Sequence, residues 1–117
     1  MDQDTANYIV TYFSNLLTVE EKLAFKHISS FIKLDLKNQP DRNDSLVQVY
    51  RRRGWISSEP AVLDLIKDEE EAFKRRVAER ILKEHPEKVT LNTCPQCERL
   101  TRTPTAKQCR YCGYDWH

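Results

Sequence analysis

The chain is predicted to be mainly α-helical, with an N-terminal bundle of about four helices and a small β-type module at its C-terminal end. Three observations predict this. Only two glycines, Gly54 and Gly113, occur in 117 residues, too few for a β-rich fold with many tight turns. Apolar residues recur at steps of three and four as far as Ile81, which is the spacing of one helical face. From Val89 the pattern changes to the β-type "VTLNT", and all four cysteines follow it. The expected division is a helical domain over residues 1–88 and a cysteine module over 89–117.

The first helix carries Ala6, Ile9, Val10, Phe13, Leu16 and Leu17 on one face. Thr18 then opens "TVEE", and Thr18 with Glu21 has the form of a capping box, which satisfies free N–H groups at a helix start. A second helix is expected from about Val19 to Leu36, with Leu23, Ala24, His27, Ile28, Phe31 and Ile32 inward. "KNQPDRNDS", Lys37 to Ser45, is polar, contains proline and lacks a period, so it is read as a loop. Ser45 is placed as the cap of a short third helix, with Leu46, Val49 and Tyr50 inward, and Gly54 as its stop. "SSEP" is a further start signal, with Ser57 or Ser58 as cap and Pro60 near the first helical position. The fourth helix is expected to be the longest, about Glu59 to Glu84, following Leu63, Ile66, Phe73, Val77 and Ile81. Glu70–Lys74, Glu71–Arg75 and Glu79–Lys83 are acid-before-base pairs four apart, each worth a few tenths of a kcal/mol. Pro86 ends that helix, because the residue before a proline avoids the helical region.

The totals narrow the function classes. A net charge of +1 makes no global case for nucleic acid or an anionic membrane. The start "MDQDTANYIV" has no basic segment and no apolar run of signal-peptide length, and no stretch approaches the roughly 20 apolar residues of a membrane span. A cytoplasmic protein is expected. In a reducing compartment, clustered cysteines are metal ligands before they are disulfides.

Cys94 and Cys97 form "CPQC", and Cys109 and Cys112 form "CRYC", with eleven residues between the pairs. A gap of two lets both sulfurs of a pair point at one centre while the backbone turns around it. Two such turns supply four sulfurs in a tetrahedron. One structural Zn2+ ion suits this arrangement, since zinc prefers four ligands and takes thiolate sulfur at about 2.3 Å. Iron is one rival occupant, and disulfides or redox thiols are the other readings. A catalytic zinc keeps a position open for water or substrate, and four cysteines fill the tetrahedron. The expected role of the metal is therefore folding, because so short a segment buries little apolar surface and metal binding supplies much of its stability.

"LNTCPQCERLTRTPTAKQCRYCGYDWH" resembles a zinc ribbon, two cysteine turns on a small β-hairpin structure. Its second turn, "CRYCG" followed by Tyr114 and Trp116, resembles a rubredoxin-type knuckle, with Gly113 after the last ligand. The first turn departs from the usual pattern, with Glu98 where a glycine often stands. The resemblance covers roughly the last 29 residues; residues 1–88 carry none. The chain as a whole resembles small bacterial proteins that end in such a ribbon.

Partner contacts are sought first on the ribbon. Arg99, Arg102, Lys107, Arg110 and Trp116 are the candidates for touching a partner or nucleic acid. Against nucleic acid, the module has four Lys/Arg and two Asp/Glu, and a divalent ion with four thiolates adds a formal charge of about −2. The expected partner is a protein, with nucleic acid as the second reading; no membrane role is expected. Trp116 is expected to dock onto the helical body, with a partner-binding surface as the other outcome. "RRRGW", Arg51 to Trp55, spreads its arginines around a helix and is read as a solvated face. His27 is read as a histidine at the edge of the core. No nucleophile–base–orienter set, glycine-rich phosphate loop or HExxH stands out, so nothing in the chain argues for an enzyme.

Overall fold

A computed structural model describes residues 1–117. It contains five α-helices: α1 (Gln3–Tyr12), α2 (Val19–Lys33), α3 (Ser45–Arg52), α4 (Pro60–Leu65) and α5 (Glu70–Glu84), with a short 3-10 turn at Ser14–Leu16. No helix is long and apolar enough to cross a membrane. By its contacts the chain divides into two compact units. One is Thr18–Phe73; the other joins Met1–Leu17 to Lys74–His117. The expected boundary at 88/89 followed a change of sequence pattern. In this division α1 falls in the same unit as the cysteine segment.

In the Thr18–Phe73 unit, α2 starts at the capping box read from the sequence. The Glu21 N–H donates to Thr18 Oγ1 at 3.1 Å, and the Thr18 N–H donates to Glu21 Oε1 at 2.8 Å. The helix stops at Lys33, three residues short of expectation. Asp35 takes a left-handed backbone, φ 54°. Asp35 N–H bonds to Ile32 O and Leu36 N–H to Phe31 O, the paired bonds of a Schellman motif. That turn folds Leu34 and Leu36 back into a buried cluster with Val47, Tyr50 and Ile56.

Helix α3 is capped by Asp44, whose carboxylate accepts from the Val47 N–H at 3.1 Å, and not by Ser45, which is its first residue. It ends in a second Schellman motif, with Gly54 at φ 74° and the Trp55 N–H on Tyr50 O. Trp55 meets Tyr50 edge to face at 5.0 Å and lies under Lys26 and Arg53. Helix α4 has Pro60 in its first turn, as expected, and packs against α2.

The single long helix expected from 59 to 84 is two helices. Between Ile66 and Phe73 the apolar stripe misses its turn, because Lys67 to Glu71 are all charged. No apolar side chain there rewards a continuous helix. Acidic residues favour a helix N-terminus, where free N–H groups carry partial positive charge, and α5 restarts with Glu70 and Glu71 in its first turn.

In the other unit, α1 is capped by Asp2, which accepts from the Thr5 N–H at 2.7 Å, and buries Ala6, Tyr8 and Ile9. Helix α5 contributes buried Val77, Ala78 and Ile81. Arg75 reaches Gln3 Oε1 at 2.6 Å, and Arg80 reaches the carbonyl of Leu16 at 3.1 Å. After Glu84 the chain turns at His85–Lys88 and enters the cysteine segment.

Candidate metal centre

The cysteine segment is built from two copies of one turn, fifteen residues apart. In the first, Cys94 N–H bonds to Arg99 O at 2.9 Å and Glu98 N–H to Cys94 O at 2.9 Å. In the second, Cys109 N–H bonds to Tyr114 O at 2.8 Å and Gly113 N–H to Cys109 O at 3.1 Å. Antiparallel bridges Thr93–Leu100 and Gln108–Asp115 sit one step outside. Bonds from Thr101 N–H to Asn92 O and from Trp116 N–H to Lys107 O, both 2.9 Å, come one step further out.

The expected β ribbon is reduced to those two isolated bridges, without strands. Space explains it. Once Glu98–Thr101 close the first turn and Lys107–Gln108 open the second, only Arg102–Ala106 remain, and Pro104 among them has no N–H to donate.

The four cysteines converge. All four Sγ atoms lie within 4.8 Å of one another. Across the two turns, Cys94 Sγ is 3.6 Å from Cys112 Sγ, and Cys97 Sγ is 3.4 Å from Cys109 Sγ. A tetrahedron with metal–sulfur bonds of about 2.3 Å has edges of about 3.8 Å, so these spacings fit a four-sulfur metal site. They are far longer than a disulfide, about 2.05 Å, and all four cysteines are free.

Backbone N–H groups are aimed at the first sulfur of each turn. Cys94 Sγ accepts from Gln96 and Cys97 at 3.4 Å. Cys109 Sγ accepts from Tyr111 at 3.3 Å and Cys112 at 3.5 Å. Such donors favour the thiolate. At Cys94, burial opposes ionisation, but the N–H groups of Cys97 and Gln96 outweigh it and lower the pKa. At Cys109 the Cys112 N–H leads, against burial, and brings the pKa to about 6. At Cys97 the N–H of Arg99 favours the thiolate, yet burial and the neighbouring thiols push the pKa up to about 12. Cys112 is raised too; the Tyr114 N–H favours its thiolate, but burial and the Cys94 and Cys109 thiols outweigh it. Each turn thus pairs one readily ionised sulfur with one that ionises last.

Between Val89 and His117 only Cys94, Thr101 and Cys109 are buried. No aliphatic or aromatic side chain of the segment is, so the usual 1.5–3 kcal/mol for each fully buried apolar side chain is missing. Polar locks take part of its place. Asn92 Nδ2 donates to the carbonyls of Thr103 at 3.0 Å and Ala106 at 2.8 Å, tying the linker between the turns. Thr101 Oγ1 lies 2.8 Å from Asn92 O and 2.9 Å from Thr103 O.

Contacts with α1 come from Asn92, Tyr111 and Arg110. The Asn92 N–H donates to the hydroxyl of buried Tyr8 at 3.4 Å, and the Tyr111 hydroxyl is 3.5 Å from Asp4 Oδ2. No motif marks Tyr8 or Asn92, because their roles arise only when distant segments meet. Of the proposed partner-contact residues, Arg99 and Arg110 flank the Tyr111 ring at 4.8 and 4.9 Å, and Arg110 pairs with Asp4 at 3.8 Å. Arg102 and Lys107 are exposed. Trp116 is half-buried and stacks on Tyr114, ring centres 6.0 Å apart. Comparison with family models, curated proteins and solved structures finds no match to this chain.

Proposed function

We propose that Cys94, Cys97, Cys109 and Cys112 hold one structural zinc ion, and that the protein is a non-catalytic interaction module whose partner is a protein. The observation that carries the metal reading is the cross-turn sulfur spacing of 3.6 and 3.4 Å, with all four sulfurs inside 4.8 Å. The all-thiolate donor set favours zinc over magnesium, calcium or manganese, which prefer oxygen. Four sulfurs complete a tetrahedron and leave no position for substrate, which supports a non-catalytic role. The protein partner is supported by near-neutral charge and by the engagement of Arg99 and Arg110 with Tyr111 and Asp4.

Elemental analysis and X-ray absorption on purified protein test the metal. One zinc per chain, with four sulfurs at about 2.3 Å, is expected; iron, or no metal in protein handled without chelators, overturns it. A salt series with mixed DNA and RNA tests the partner class. Binding that falls steeply with salt would replace the protein partner with nucleic acid.

A further inference from the structure

The four cysteines are not equally sheltered. Cys94 and Cys109 are 1% and 2% exposed, Cys97 is half-buried, and Cys112 is open to solvent. Each close cross-turn pair joins a buried sulfur to a more accessible one: Cys94 to Cys112, and Cys109 to Cys97. A dissolved oxidant therefore meets Cys112 first, with a second sulfur 3.6 Å behind it. Two backbone N–H groups hold that second sulfur in place.

We propose that the centre is a peroxide-responsive switch in which Cys112 is oxidised first and Cys94 resolves it, converting metal ligands into a cross-turn disulfide. This rests on the four cysteines holding a metal. Held as a metal ligand, Cys112 is a thiolate; its sulfur attacks one peroxide oxygen, the O–O bond breaks, and hydroxide leaves, giving a sulfenic acid. The Cys94 thiolate then attacks the Cys112 sulfur, the S–O bond breaks, and a second hydroxide leaves as the S–S bond forms. Two thiolates lose two electrons in all, and one peroxide is reduced to two hydroxides. Two ligands are gone, so the metal is released. A second peroxide converts Cys97 and Cys109 in the same way. The bridges join the two turns, so the oxidised segment stays cross-linked and a thiol reductant can reset it.

The test treats the zinc-loaded full chain with hydrogen peroxide. It follows released zinc with a chromogenic chelator and maps disulfides by peptide mass spectrometry after alkylation. Dimedone in a parallel sample traps sulfenic acid. Expected are dimedone on Cys112 ahead of the other three, zinc release together with a Cys94–Cys112 bridge, a later Cys97–Cys109 bridge, and recovery on adding reductant and zinc. Bridges within a turn, Cys94–Cys97 or Cys109–Cys112, overturn the proposal, as does zinc retained while Cys112 goes to sulfinate. If the protein proves to bind no metal, the metal reading fails by itself. Diamide oxidation of the metal-free chain then still reads the pairing, and within-turn bridges there overturn it.

Discussion

Glu98 follows the last sulfur of the first turn and has a backbone that suits glycine. Its φ is 64°, beside 77° for Gly113 at the matching place in the second turn. A side chain in the left-handed region costs roughly 1–2 kcal/mol, while glycine gives back about 0.4–1 kcal/mol through the freer unfolded chain. Glu98→Gly should therefore stabilise the cysteine segment by roughly 0.5–1 kcal/mol, read as a higher melting temperature of the metal-loaded protein. Gly113→Ala should lower it. An added Cβ there meets nothing within 4 Å, so its cost is one of backbone alone. Equal melting temperatures for wild type and both variants would show that the left-handed turns carry no strain. His27 gives a second test at this scale. Its Nδ1 accepts the Ser57 N–H at 2.9 Å, and its ring stacks on Phe31. Burial first, and then the charge of Arg51, lower its pKa below the ordinary 6.5. The folded state thus prefers the neutral ring, while the unfolded chain takes up its proton near pH 6.5. Stability should be flat above that pH and fall as the pH drops through it towards the lowered folded value. Urea midpoints at several pH values should show this in wild type and a shallower slope in His27→Gln. An unchanged slope assigns the acid sensitivity to other groups.

Helix ends were legible in the sequence where a side chain announces them. The Thr18–Glu21 box, Pro60 at the start of α4 and Gly54 after α3 all stand where the pattern put them. The end of α2 was hidden because Asp35, not glycine, takes the left-handed position, accepting a bond from Asn38 Nδ2 at 2.8 Å. The gap between α4 and α5 was legible only as a missing apolar turn at Lys67–Glu71, next to acid–base pairs whose spacing of four suits a continuous helix. The cysteines illustrate both sides. Their spacing was enough to foresee one four-sulfur cluster, since the CxxC turn is a local device. The strands expected around it depended on how many residues the two turns use up, and they dwindled to Thr93–Leu100 and Gln108–Asp115. The partnership of Tyr8 with Asn92 spans 84 residues and leaves no periodic trace.

At the scale of the whole chain, the question is what unfolds when the metal is lost. Residues 89–117 bury only two cysteines and a threonine, so a metal held by the four cysteines, as proposed, would supply much of the stability of this segment. Cys109→Ser removes a thiolate that two backbone N–H groups support and opens the tetrahedron. Zinc should be lost, and the segment should exchange its amide hydrogens freely. The effect should reach α1, because Tyr8 and Asp4 lose Asn92, Tyr111 and Arg110. Amides of α1 should exchange faster, although Arg75–Gln3 and Arg80–Leu16 still tie α1 and its following turn to α5. The Thr18–Phe73 unit keeps its own cluster of Leu34, Leu36, Val47, Tyr50 and Ile56, so its protection should be unchanged and most far-UV helical signal should persist. Residue-resolved hydrogen exchange on wild type and Cys109→Ser separates the cases. Protection lost only after residue 88 would make the cysteine module an independent domain, as the composition alone implied. Protection lost across Thr18–Phe73 as well would mean that one cooperative unit spans the chain and depends on its metal.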